Sequence, residues 1–381
     1  DGGDGAAAAA AAAPPAAGGV DPEAAQSFGD NACGRSVSTY PLIPPDTKRM
    51  GDPVADFYCA KLYHDRAIVC VTDGCNWGKK VAEAAGRACR GFVEALAARI
   101  ADISDTKQCR RLLVEACAEA HLAIFDDKKP EDGHYYHVGQ TTLLGGLLLP
   151  IEGADQFCPA YEFLCISVGD CKAFIYTNGR IEDITIGNRQ NVSDARDCGG
   201  RLGSATERAR CTDLRQLAEL TNLELFSVPC EVGDTLLLVT DGVHDNLDPQ
   251  HLGKLPKDMP RSMTLGEHES WADVDLEKAE RAKNVFRIAF LERHVQGAKT
   301  PVDLVDCLIN HCIKTTSASR HFMVTRKGQR VPPDYSRYPG KMDHTTVLCV
   351  KVGDFGPVDG DDAAAADADA DGVLDLGDLD A

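Results

Sequence analysis

Three features of this 381-residue chain predict an α+β fold. Strand-like segments gather early and return late, helical patterns enter between them as pairs, and no regular strand–helix–strand alternation links them. Residues 1–32 are an Ala/Gly/Pro mixture with too few large side chains to build a core, so a disordered segment is expected there. A single ordered domain is expected over residues 33–352. Asp56 to Tyr63 alternates loosely, His64-Asp65-Arg66 offers a turn, and Ala67 to Thr72 is an apolar, β-branched run. Together they predict an antiparallel pair that opens the domain.

From Lys79 to about Ile100, the apolar residues Val81, Ala85, Ala88, Phe92, Leu96 and Ile100 recur at helical spacing. Ser104 or Asp105 can cap a second helix striped by Leu113, Cys117, Ala120 and Ile124. The two should lie together on one face of a sheet. Strands are then predicted over Thr141 to Leu149, Glu162 to Ser167, Ala173 to Tyr176 and Arg180 to Thr185. Thr177-Asn178-Gly179 supplies a hairpin turn between the last two. Gly187 to Cys211 is polar and reads as a long loop. Leu223 to Pro229 and Thr235 to Thr240 are further strands, and Asp275 to Val295 and Pro301 to Thr315 are helices. In the second helix Pro301 sits in the first turn, where its missing N–H costs nothing. A connector, Val331 to Lys341, leads into a last strand, Thr345 to Val352.

The formal net charge of −19 is unevenly spread. Ten aspartates and no Lys or Arg stand between Asp354 and Ala381, so the rest of the chain is only mildly acidic. Residues 353–381 therefore read as a disordered acidic tail, and the body argues against nucleic-acid or anionic-membrane partners. Sixteen cysteines are scattered with no C-x-x-C pair. Several, such as Cys70, Cys117, Cys165 and Cys349, sit in apolar strands or helix faces. That is how buried free thiols are used in a reducing compartment, so a cytoplasmic or nuclear location is expected. The N-terminal alanine run lacks the basic flank and bulky apolar centre of a signal peptide.

The chemistry gathers at strand ends. The run Ala67-Ile68-Val69-Cys70-Val71-Thr72 stops at Asp73-Gly74, and Thr235 to Thr240 stops at Asp241-Gly242. A third acid, Asp343, stands just before the last strand. Three such carboxylates with almost no histidine beside them suit hard, oxygen-liganded cations such as Mn²⁺ or Mg²⁺ better than zinc.

These residues resemble, in order, the motifs of the PPM (type 2C) metal-dependent Ser/Thr protein phosphatases. Ala55-Asp56-Phe57 looks like the opening acidic motif and Asp73-Gly74 like the central Asp-Gly. Gly139-Gln140-Thr141-Thr142 is similar to the Gly-Ser-Thr strand, and Val168-Gly169-Asp170-Cys171-Lys172 to the Val-Gly-Asp-Ser-Arg turn. Gly199-Gly200-Arg201 falls in the flap region. Thr240-Asp241-Gly242-Val243-His244-Asp245 resembles Ser-Asp-Gly-Val-Trp-Asp, and Asp343-His344-Thr345-Thr346-Val347 the terminal Asp-Asn-x-Thr-Val. The resemblance covers about residues 35–352. It implies a sandwich of two packed antiparallel sheets flanked by helical pairs, and hydrolysis of phosphoserine and phosphothreonine by water activated between two Mn²⁺ or Mg²⁺ ions. Asp73, Asp241 and Asp343 would then be the catalytic metal-holding acids. Asp73 would bridge the ions with the Gly74 carbonyl, Asp56 would order waters, and Asp170 with Asp241 or Asp245 would match a third, weaker position.

The sequence departs from the family in three places. Cys75 stands where many members carry a histidine thought to protonate the leaving group, and a thiol with a pKa of about 8.5 is a poorer acid near neutrality. His244 is the candidate general acid in its place, with His64 and His344 behind it. Ala55 replaces one acid of the opening pair, with Asp52 close in sequence. No arginine stands at the usual phosphate-binding spacing, which leaves Arg49, or Lys48, for that role. The expected partner is a phosphorylated protein, and the domain is expected to be a monomer. The alternative is a pseudophosphatase that binds without turnover. The loop Gly187 to Cys211 and the insert Leu252 to Asp273 are expected to set substrate choice.

Overall fold

The computed structural model describes residues 26–28, 30–42, 48–127, 138–154, 157–188, 198–203, 218–263 and 265–355. The expected disordered segment up to residue 25, most of the loop 187–211 and the acidic tail from residue 356 lie outside the described residues. In chain order the strands are β1 (Gln26–Phe28), β2 (Ala32–Ser38), β3 (Asp56–Leu62), β4 (Ala67–Asp73), β5 (Gln140–Thr141), β6 (Leu143–Pro150) and β7 (Tyr161–Val168). They continue with β8 (Lys172–Thr177), β9 (Arg180–Asp183), β10 (Leu202–Gly203), β11 (Glu224–Cys230), β12 (Thr235–Val239) and β13 (His344–Lys351). The α-helices are α1 (Lys79–Ala97), α2 (Thr106–Ala123), α3 (Asp241–His244), α4 (Leu276–His294), α5 (Pro301–Thr315) and α6 (Ser317–Thr325).

Two antiparallel sheets carry the domain, ordered β1-β2-β13-β12-β8-β9 and β11-β7-β6-β4-β3, with β5 and β10 as a small separate pair. The period-two alternation of the strands explains why they stack. In β4, Ala67, Val69 and Val71 face the second sheet, where they meet Leu236, Leu238, Leu348 and Val350. The alternate residues Ile68 and Cys70 face outward and are covered by α1 and α2 through Phe92, Leu96, Leu113 and Cys117. In β12 the odd residues Leu237 and Val239 face away from the inter-sheet core, onto α5 through Leu304, Val305 and Leu308. A strand covered on both faces by helices and a second sheet favours apolar residues at successive positions, as in Ala67–Val71 of β4 and Leu236–Val239 of β12. The result is helices, sheet, sheet, helices, the two-sheet α+β sandwich expected from sequence.

Two elements differ from expectation. The β3–β4 pair does not open the domain, because β1 and β2 precede it and lie in the other sheet, with Phe28 opposite Ala32. β2 is buried along its whole length although it contains Gly34, Arg35 and two serines. Its apolar cover comes from elsewhere: a Cβ at Gly34 would sit 2.2 Å from Tyr58 Cε2, and Arg35 reaches Asp306 at 2.7 Å. Helix α6 also lacks a sequence signature, and its buried Arg320 is held by the Thr39 carbonyl at 3.4 Å.

Candidate metal centre

Asp56 and Asp73 are direct partners in the β3–β4 register, so the hairpin delivers two carboxylates to one end of its sheet. The strand stops there for a steric reason. A Cβ at Gly74 would lie 2.6 Å from Val81 Cγ1 and 2.7 Å from the Ala55 carbonyl oxygen, so glycine lets α1 begin against the strand end. The other sheet brings its own acids to the same place. β12 ends at Val239, Thr240 caps α3, and Asp241 opens the helix. Asp343 immediately precedes β13, which pairs with β12 through Val347 and Val239. Gly242 permits the approach, since a Cβ there would sit 1.9 Å from the His344 carbonyl oxygen.

These carboxylates form a cluster of like charge in which Asp56 is buried and Asp73, Asp241 and Asp343 are half-buried. Asp56 Oδ2 accepts a 2.6 Å hydrogen bond from the Thr240 hydroxyl, while the buried Oδ1 has no hydrogen-bond partner. Burial pushes the Asp56 carboxyl well above the usual range against that bond, with Asp343 and Asp241 adding to the rise. Burial does the same to Asp73, helped by Asp56, Asp241, Asp343 and Asp170. Asp343 is pushed up to about 6 by burial, against the pull of Lys341. Groups that repel one another in low dielectric gain most from a cation between them.

One cation is already there. Lys341 Nζ contacts Asp241 Oδ2, and lies 3.1 Å from Asp245 Oδ2 and 3.0 Å from Asp343 Oδ2. Burial works against its charge, but Asp241, Asp343 and Asp245 outweigh it and hold the ammonium well above its usual range. Among the described residues, no three His, Cys, Asp or Glu side chains form a group that could hold a metal ion by themselves. The all-oxygen donors and the unpartnered Asp56 Oδ1 fit a hard cation on the Asp56–Asp73 side, with water filling the remaining positions. The Asp241–Asp245–Asp343 side is filled by the ammonium.

The other predicted residues fall into two groups. Asp170 is buried in the β7–β8 turn, where its carbonyl lies 2.9 Å from His244 Nε2. His244 is itself buried, with Nδ1 3.5 Å from Asp245 Oδ1, so its ring ties the Asp170 turn to α3. His344 Nδ1 accepts the Ala55 N–H at 3.2 Å, and burial holds its imidazole down at about 4. Arg49 donates from Nη1 to the Tyr40 carbonyl at 3.1 Å, and its N–H is received by the Asp52 carboxylate. Lys48 is exposed. His64 lies at the opposite end of the β3–β4 hairpin, 3.6 Å from Asp354, and is not brought to the site. Cys75 Sγ stands 4.0 Å from Cys198 Sγ, and that contact, with burial, pushes its thiol well above the ordinary range.

Three residues near the acids were not foreseen. Tyr40 reaches Asp343 Oδ1 with its hydroxyl at 3.4 Å and meets Trp77 edge-on at 4.9 Å. Thr240 was visible only as part of a motif, and Lys341 only as the end of a connector. The one available signal for Lys341 was a basic residue two positions before a candidate ligand.

No family model matches the chain. The chain is 30% identical over 245 residues to the PP2C-like domain-containing protein CG9801 of Drosophila melanogaster, a match covering 61% of this chain and 32% of that protein. The chain thus spans about a third of the length of that relative. Among solved structures, the serine/threonine phosphatase of S. agalactiae aligns with a TM-score of 0.46 at 13% identity, over 84% of this chain and 100% of that one. The catalytic domain of the phosphatase PstP in complex with two manganese ions aligns with a TM-score of 0.41 at 16% identity, over 85% and 98%. Over those 245 residues this chain, a sandwich of two antiparallel sheets, is similar to a PP2C-like domain protein.

Proposed function

We propose that this domain is a metal-dependent phosphatase acting on phosphoserine and phosphothreonine in proteins. The observation that carries the reading is the convergence of carboxylates from both sheets, buried at Asp56 and half-buried at Asp73, Asp241 and Asp343, with Asp56 Oδ1 left without a partner. A bound Mn²⁺ or Mg²⁺ would supply a water acidic enough to ionise near neutral pH and positive charge against the phosphoryl oxygens. Asp73, with the Gly74 carbonyl, and Asp56 would hold the ion from the β3–β4 side, and Asp241 and Asp343 would close the site from β12 and β13. Asp170 borders the same cluster and is fixed by the contact of its carbonyl with His244. Arg49 would supply positive charge to a substrate phosphate. The buried, engaged His244 positions α3 against the Asp170 turn rather than exchanging protons with a substrate.

A second reading, a pseudophosphatase, is favoured by two observations: the thiol at Cys75 and the ammonium among the acids. Hydrolysis of an aryl phosphate and of a phosphothreonine peptide with added Mn²⁺ separates the two. Turnover should appear with Mn²⁺ and vanish with EDTA and in Asp73→Asn. Turnover that persists through both treatments would overturn the metal-dependent reading, and its complete absence would favour the second.

A further inference from the structure

The side chain of Lys341 is built into its place. Its backbone N–H donates to Asn246 Oδ1 at 3.0 Å, and its carbonyl accepts from Asn246 Nδ2 at 2.9 Å. The same amide nitrogen donates to the Gly242 carbonyl at 2.7 Å, so one asparagine fixes residue 341 against the helix that carries Asp241 and the turn after it that carries Asp245. The preceding Gly340 is anchored as well, through its N–H to the His251 carbonyl at 2.7 Å. From this base the ammonium presents its protons to three carboxylates at once, which is the full donor capacity of a lysine. Asp245 is 1% exposed and the lysine side chain 22% exposed, so little water competes.

A hard divalent ion also takes carboxylate oxygens, with water completing its shell, and an ammonium bound to all three acids leaves none of them to such an ion. Charge is nevertheless left over. A single ammonium faces Asp241, Asp245 and Asp343, while Asp56 Oδ1 is buried with no partner beside Asp73. An ion that keeps several waters and takes one or two carboxylates suits that side.

We propose that the Lys341 ammonium takes the place of one divalent cation in this cluster, so that the domain binds a single Mn²⁺ or Mg²⁺, on the Asp56–Asp73 side. The inference rests on the metal-dependent reading above for the class of ion, and replaces the two ions implied by the family resemblance with one ion and one fixed ammonium. The lysine keeps a fixed positive charge among these acids without a second ion to load.

The test is the stoichiometry of Mn²⁺ on the full chain, by isothermal calorimetry and electron paramagnetic resonance. The wild-type chain should take one ion, with the signal of an isolated Mn²⁺. Lys341→Ser should take two, with an exchange-coupled signal, and Lys341→Arg should stay at one. Two coupled ions in the wild type, no ion at all, or a Lys341→Ser protein that still binds only one would overturn the proposal. If Lys341→Ser fails to fold without its counter-charge, the wild-type and Lys341→Arg stoichiometries decide. Failure of the phosphatase reading looks different: one ion in the wild type and two in Lys341→Ser, with no turnover, would end that reading and leave this one standing. Turnover with two coupled ions in the wild type would do the reverse.

Discussion

The Thr240 hydroxyl donates a 2.6 Å hydrogen bond to Asp56 Oδ2, joining the end of β12 in one sheet to the start of β3 in the other. The same hydroxyl accepts the Thr346 N–H at 2.9 Å, so it also closes the β12–β13 edge. Both acid-bearing ends of the sandwich are held by this one side chain. Thr240→Val keeps the shape and removes both bonds, taking from the buried Asp56 Oδ2 its 2.6 Å hydrogen bond. The expected loss is about 2–3 kcal/mol, because an unsatisfied buried group costs about 1–3 kcal/mol and a second bond goes with it. Urea unfolding measures it, and Thr240→Ser should recover most of the loss. Equal stability of Thr240→Val and wild type would mean that the bond contributes nothing net.

Gly242→Ala probes the approach of the two strands. The new Cβ would lie 1.9 Å from the His344 carbonyl oxygen, which is backbone and cannot rotate away. Relief requires α3 or the start of β13 to move, and either shift separates Asp241 from Asp343. The move also loosens the hold of Asp241 and Asp343 on the Lys341 ammonium, so stability should fall by about 1–3 kcal/mol, the usual cost of overpacking a close contact. Equal urea midpoints for Gly242→Ala and wild type would show that Asp241 and Asp343 need not keep this spacing.

How much of this was legible follows from what each residue depends on. β4 was readable because both of its faces are buried, so Ile68 and Cys70 are as apolar as Val69 and Val71. Asp73 and Asp241 were readable because an acid and a glycine interrupt such a run abruptly. β2 was not, since its cover comes from Tyr58 and its arginine is paired with Asp306 on α5, neither close in sequence. Lys341 was the largest omission. Its meaning depends on Asn246, almost a hundred residues away, folding back to hold it beside Asp241, and no local spacing records that. His64, a reserve candidate for the general acid, lies in the turn of the β3–β4 hairpin, at the end away from Asp56 and Asp73.

The buried pair of Lys172 and Asp183 ties β8 to the end of β9. Nζ lies 3.0 Å from Asp183 Oδ2, and the two side chains are 7% and 2% exposed. Asp183 Oδ1 also accepts from the Thr185 N–H and hydroxyl at 2.9 and 3.1 Å. Burial pushes the Lys172 ammonium below its usual range in spite of Asp183, so the charge stays only while its partner does. Asp183→Ala should therefore cost about 3–5 kcal/mol, the penalty of a stranded buried charge. The double variant Lys172→Met/Asp183→Ala should cost less than Asp183→Ala alone. Denaturant unfolding of the three proteins decides this, and a double variant less stable than the single would contradict it.

The interface of α4 and α5 should make stability depend on pH near neutrality. His294 and His311 meet with ring centroids 4.5 Å apart, and Phe290 packs 5.3 Å from His311. His311 Nε2 is 2.8 Å from the Asn246 carbonyl and donates to it when neutral. Burial pushes both imidazoles down from the usual value. His294 and Lys314 add to the shift at His311, and Lys314 adds to that at His294. The native state therefore prefers both rings neutral, while the unfolded chain takes up protons as pH falls through about 6.5. Where the unfolded state binds more protons, stability falls as pH falls. The contribution of this pair is thus complete above about pH 6.5, and is lost progressively below it until the folded rings also protonate. The acids with raised pKa around Asp56 and Asp73 act in the opposite direction, so the difference between proteins is the useful quantity. His311→Gln, which can still donate to Asn246, should show a flatter fall in urea midpoint than wild type between about pH 7.5 and pH 5. Parallel curves for the two proteins would remove His311 from the account.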